Sequence, residues 1–209
     1  MKSVLESAVT ALSVASNHKD AGRTEAHRPA NDGQPVRVTE TTAHHTRRPK
    51  DTFPRVSVHL VPLGRDQFAR DLFLMSLGSW NDWPRELGLP SEHFCLLFVG
   101  DATGVSDETL ERVAEVALDA GCACLCAWGP DCVRVETSFD TECAEREGAH
   151  QTPVVLTVAH RDETLHEALE YLTEIAFPAS AYADTCRSTL IAVVGNTDWE
   201  HSIRRRFAK

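Results

Sequence analysis

Gly121-Cys-Ala-Cys-Leu-Cys-Ala-Trp-Gly-Pro-Asp-Cys132 decides how this chain is read. From Cys122 to Ala127 the residues are all small or apolar, the mark of a strand covered on both faces. Trp128 closes the run, and Gly129-Pro130-Asp131 turns the chain abruptly. Side chains alternate along a strand, so Cys122, Cys124 and Cys126 are expected on one face. Alternate positions lie about 6–7 Å apart, too far for adjacent thiolates to hold one zinc without a bend. With no Cys-x2-Cys spacing anywhere, the cysteines read as small core hydrophobes. Cys132, beyond the turn, is expected to be the most exposed of them.

Working outward, the same alternation of buried runs and amphipathic stretches recurs. Phe94 to Val99 is continuously apolar. Ser106 is a good helix N-cap, followed by Asp107 and Glu108 where the helix dipole favours them. Leu110, Val113, Ala114, Ala117 and Leu118 then form one stripe that ends at Gly121. Downstream, Pro153 to Ala159 reads as another buried strand, and Leu165, Ala168, Leu169, Leu172 and Ala176 as a helix stopped by Pro178. Thr189 to Val194 reads as the last strand. Thr197 and Glu200 have capping-box spacing for a final helix with Trp199, Ile203 and Phe207 on one face. The polar stretch 136–151 is expected to be an irregular link.

Upstream, Arg55 to Val61 alternates at period two, as a half-exposed strand does, and Pro62 and Gly64 should end it. Phe68, Leu72 and Met75 suggest a helix over Asp66 to Leu77. Trp80 and Trp83 are expected to pin the following loop to the domain. The sum predicts an α/β fold: three layers, a mainly parallel sheet of four or five strands, and helices on both faces. Residues 53–209 form this single domain. Residues 1–52 are expected to be a disordered extension with one short helix over 2–15, since little there is apolar enough to offset ordering entropy.

Charge narrows the partners. The chain has 21 Lys+Arg and 31 Asp+Glu, but residues 1–50 hold eight and five of them, leaving the remainder at −13. Such a domain repels phosphate backbones, so nucleic acid is not an expected partner. Glu6 interrupts what would be the apolar run of a secretory leader, and no stretch reaches a membrane span. Seven cysteines without such a leader read as reduced thiols in a cytoplasmic protein.

In open parallel sheets, ligands sit beyond the C-terminal strand ends. That rule gathers Asp101, Trp128, Asp131, Thr157, His160 and Asn196 as candidate site residues. Gly100-Asp-Ala-Thr-Gly104 lacks the spacing of a phosphate loop, and no Gly-x-Ser-x-Gly elbow is present. His160 stands before a helix N-terminus, where the dipole disfavours the imidazolium; Asp162 is the expected cap there. Asp101, Asp131 and His160 could serve a hydrolytic or phosphoryl-transfer reaction if they converge, with Mg2+ as the implied ion.

The pattern G-C-x-x-x-x-A-W-G-P-D-C at 121–132, followed by T-x-x-H-x-D-E-x-L-x-E at 157–167, resembles a family of small uncharacterised bacterial α/β proteins. The resemblance spans roughly residues 55–208. It implies a compact α/β fold and supplies no activity, substrate or catalytic residue. The lack of a complete catalytic motif, together with the acidic charge, favours a non-catalytic binding or protein-interaction module without cofactor or metal. Its partner would be a protein or small molecule at the sheet rim. The alternative is the small metal-dependent hydrolase or phosphoryl-transfer enzyme.

Overall fold

A computed structural model describes residues 59–149 and 154–208. The expected extension over 1–52 lies outside the described residues. Among the described residues six strands form one sheet: β1 (Leu60–Arg65), β2 (Asp71–Leu77), β3 (His93–Gly100), β4 (Cys122–Trp128), β5 (Leu156–His160) and β6 (Cys186–Val194). Their order is β1-β2-β6-β3-β4-β5; β1 runs antiparallel to β2 and every other pair is parallel. The described residues also hold four α-helices: α1 (Asp107–Asp119), α2 (Cys132–Ala149), α3 (Leu165–Glu174) and α4 (Thr197–Phe207).

Period-two alternation divides the core in two. Phe94, Leu96 and Phe98 of β3 pack in one cluster with Leu110, Val113 and Ala117 of α1 and Val135 and Phe139 of α2. Cys95, Leu97 and Val99 pack in the other with Ala168, Leu169 and Leu172 of α3 and Ile203 of α4. Each fully buried side chain of this size contributes roughly 1.5–3 kcal/mol, which is why the central strands are apolar throughout.

The sheet has six strands rather than four or five because the helix expected over Asp66 to Leu77 is a hairpin arm. Leu72 and Leu74 face one cluster while Phe73, Met75 and Leu77 face the other, a period of two that the sparse apolar pattern also allowed as helical. What converts the start of this stretch into a turn is Asp66. Its buried carboxylate accepts from the Phe68 and Arg70 amides and from Thr189 Oγ1, and pairs with Arg70 Nε at 2.6 Å. Arg70 is buried too, and also donates to the Leu172 carbonyl and Cys95 Sγ. A buried pair is tolerable only when satisfied from several sides, and this one is.

Three further expectations need correction. Pro62 and Gly64 do not end the first strand; both lie inside β1, an edge strand that tolerates proline and shifts register between them. The stretch from 136 onward is no irregular link, because α2 spans Cys132–Ala149. Its hydroxyls satisfy themselves along the helix, Thr137 to the Val133 carbonyl, Ser138 to Arg134 and Thr141 to Thr137, so a polar surface still wraps a helix anchored by Phe139. β5 is not a buried run but an edge strand, and Leu156 at its start is exposed.

The three cysteines of β4 do not share a face. Cys122 pairs with Phe94 and Cys124 with Cys95, so a register irregularity leaves Ala123 as an extra residue between them. Cys122 therefore packs beside α1 and α2, while Cys124 and Cys126 face α3. Every cysteine in the described residues is free, and all but Cys143 are buried. Cys132, expected to be the most exposed, is only 4% exposed because it opens α2 against the core.

Candidate functional site

Two places along the C-terminal rim of the sheet could hold a ligand. The first is the switch point, where chain order reverses between β3 and β6. It is filled. The short 3-10 turn Trp80–Asp82 after β2 lays the Trp80 indole across the end of β3. A Cβ on Gly100 would meet that indole at 2.7 Å and the Val194 side chain at 3.3 Å, so only glycine fits beneath it. Trp80 Nε1 donates to the Asp101 carbonyl at 2.9 Å, and both Trp80 and Trp83 stack on Phe98.

The second place is open. Between the turns that follow β4 and β5 lies a cleft of about 600 Å3, lined by residues 128–133, residues 160–163 and Trp199. Trp128 and His160 are direct partners in the β4–β5 register, which sets them side by side at its floor. Gly129 lets the first turn form: it has φ 117° and sits so close to β3 that a Cβ would meet the Gly100 carbonyl oxygen at 2.3 Å. Pro130 then accepts from the Ala102 amide, and α2 begins at Cys132.

His160 is 2% exposed, yet only one of its ring nitrogens is satisfied. Nδ1 lies 2.8 Å from Glu163 Oε2, and Nε2 has no partner. A carboxylate only accepts, so in the neutral ring Nδ1 carries the proton and Nε2 is left as a buried acceptor. Leaving such a group unmet costs on the order of 1–3 kcal/mol. Tyr171 packs edge-on against the ring at 4.9 Å, and the Glu163 carbonyl accepts from Trp128 Nε1 at 2.8 Å. One residue, Glu163, thus holds both the imidazole and the indole. Trp199 meets Trp128 at 5.2 Å with the rings 80° apart.

The rim candidates separate accordingly. Trp128, Asp131 and His160 line the cleft. Asp101 does not: its carboxylate accepts from the Thr103 amide in its own turn. Thr157 faces the other side of β5 and donates to Asp140 of α2 at 2.6 Å. Asn196 is the N-cap of α4, accepting from the Asp198 and Trp199 amides, so it reaches the cleft only by positioning Trp199. It displaces the Thr197–Glu200 capping box expected there; Glu200 pairs instead with Arg204. The box forms at α3, where Thr164 and Glu167 cap each other and Asp162 does not cap the helix.

Asp101, Asp131 and His160 are therefore not gathered into one acid–base group. Among the described residues no set of three or more His, Cys, Asp or Glu is arranged to hold a metal ion. Cys132 also lines the cleft, but burial pushes its thiol up, with Glu136 acting the same way and the amides at the start of α2 only partly opposing. Glu136, which caps the free Ala159 amide of the edge strand, is raised by burial and by Asp140.

Sequence reasoning missed Glu163 and Trp199 as cleft residues. The three-residue spacing from His160 to Glu163 was visible, but read as a helix start. The residues alone put Trp199 on one face of α4 with Ile203 and Phe207, and only the position of β6 beside β3 brings it toward Trp128.

Residues 73–209 match the family model described as domain of unknown function DUF7684, and the chain belongs to that family. No curated protein and no solved structure matches it. No described helix is long and apolar enough to cross a membrane.

Proposed function

We propose that this member of the family is a binding module whose ligand enters the cleft between the β4–α2 and β5–α3 turns. The observation that carries the reading is His160: an imidazole on the lining of the cleft, fixed through Nδ1, with Nε2 buried and unpartnered. A folded protein tolerates such an acceptor when something else satisfies it, and a ligand donor is the natural complement. Trp128 and Trp199 add flat apolar surface, and the volume lies within the roughly 300–1,000 Å3 usual for small-molecule sites. The domain serves as scaffold, in three layers with the cleft at the sheet's open end. A small molecule, or one side chain of a protein partner, suits these dimensions.

The four tryptophans provide the test. Indole N–H resonances would be followed while the protein is titrated with mixtures of small metabolites and short peptides. A ligand of the cleft shifts Trp128 and Trp199 and leaves Trp80 and Trp83 in place. A broad screen that moves neither cleft resonance, or that moves only Trp80 and Trp83, removes the proposal.

A further inference from the structure

We infer that the cleft selects an organic cation: a ligand with an ammonium or guanidinium group on a compact apolar body. The inference rests on the reading of the cleft as a ligand site and names the chemistry it would take. Three observations converge.

The first is charge. Among the residues lining the cleft the acids are Asp131, Asp162 and Glu163, and the one cation is Arg161. Glu163 is engaged with His160, but the Asp131 side chain is 49% exposed and Asp162 is exposed. Arg134 approaches Asp131 only to 4.0 Å and makes shorter contacts with Asp107 and the Ala102 and Val105 carbonyls. The field at the mouth is therefore negative, which raises the local concentration of cations and opposes anions.

The second observation is the aromatic corner. Trp128 and Trp199 stand 80° apart at 5.2 Å, both half-buried and both on the cleft. Indole faces carry negative charge density, and Trp is the best aromatic partner for an ammonium or guanidinium. A hydrogen bond to the Glu163 carbonyl anchors one of the two rings.

The third, independent of both, is the unpartnered His160 Nε2. With Nδ1–H committed to Glu163, the neutral ring offers only a lone pair, so its complement must donate. An N–H cation donates; a carboxylate or phosphate ester does not. Acidic rim and aromatic corner ask for a cation, the buried acceptor asks for a donor, and an N–H cation meets all three.

The test uses three probes of one shape: benzylammonium, benzyl alcohol and phenylacetate. Each is titrated into the full chain while the Trp128 and Trp199 indole resonances are followed. Benzylammonium is expected to bind roughly tenfold or more tighter than benzyl alcohol, and phenylacetate not to saturate. Asp131→Asn and Asp162→Asn provide the second arm. Both aspartates sit at positive φ, 59° and 60°, a conformation asparagine also accepts, so these variants keep the turns. Each should weaken benzylammonium about two- to fivefold and leave benzyl alcohol unchanged. If the alcohol or the acid matches the amine at these two resonances, the cation assignment falls while the cleft survives as a ligand site. Silence toward all three probes overturns the assignment as well, and with a blank metabolite and peptide screen removes the site itself.

Discussion

Two tryptophan pairs stand at the same end of the sheet and do opposite things. Trp80 and Trp83 are 7% and 2% exposed, stacked on Phe98 over the point where strand order reverses. Trp128 and Trp199 are half-buried at the β4–β5 end of the rim, near right angles, with a cleft between the turns below them. The general rule for parallel sheets points to the first location. Here that crevice is packed shut, and the concavity has moved two strand pairs toward the β5 edge. The same residue type thus closes one part of the rim and lines another, and what differs is the neighbour beneath. Under Trp80 lies Gly100, which has no side chain to hold the indole off. Beside Trp128 lies His160, which the chain itself satisfies only on one side.

The largest expected effect tests the closed pair. Trp80→Ala should destabilise by about 3–5 kcal/mol, as deletion of a buried aromatic does, whereas Trp128→Ala should cost only ~1–2 kcal/mol. Urea denaturation of both variants measures the gap, and equal losses would erase the distinction between filler and lining. Next in size is Gly100→Ala. Its methyl would displace the Trp80 indole, costing about 1–3 kcal/mol and making the Trp80 fluorescence more water-exposed without moving Trp128. An unchanged Trp80 signal would show that the closure does not depend on that glycine.

The smallest effect concerns the open side, which carries surplus acid. Burial and Asp140 raise the Glu136 pKa, so the folded state holds its proton more tightly than the unfolded chain does. With a raised folded pKa, this group's contribution is most favourable below the unfolded value near 4.3 and is lost as pH rises through the folded one. Glu136→Gln removes that loss and keeps an oxygen for the Ala159 amide. A gain of a few tenths of a kcal/mol is expected at pH 7, vanishing near pH 4. Thermal denaturation at both pH values checks the sign, and a larger gain at pH 4 would reverse it.

Much of the central architecture could be read along the chain. The apolar run of β3, the Ser106 cap and the α1 stripe carry their own periodicity, and each is where the residues alone place it. Elements whose apolar residues are few were misread. Asp66 to Leu77 has a pattern compatible with two periods, and contact with β6 and the Asp66–Arg70 pair decides between them. α2 has two large buried anchors, Val135 and Phe139, too few to mark a helix in a polar stretch. For the rim, strand-end logic groups Trp128, Asp131 and His160, which line one cleft, but does not separate them from Asp101, Thr157 and Asn196.

Residue pattern by itself determined the class of fold, the central strands and helices, and the acidic character of the domain, because hydrophobic period and formal charge are local properties of the chain. Tertiary structure alone decided that β6 inserts beside β3, that the β4 cysteines divide between two faces, and that Trp80 seals the switch point. It also decided that Glu163 takes one nitrogen of His160 and leaves the other unmet. These depend on which strands become neighbours and on fractions of a residue in register, and no local pattern encodes either.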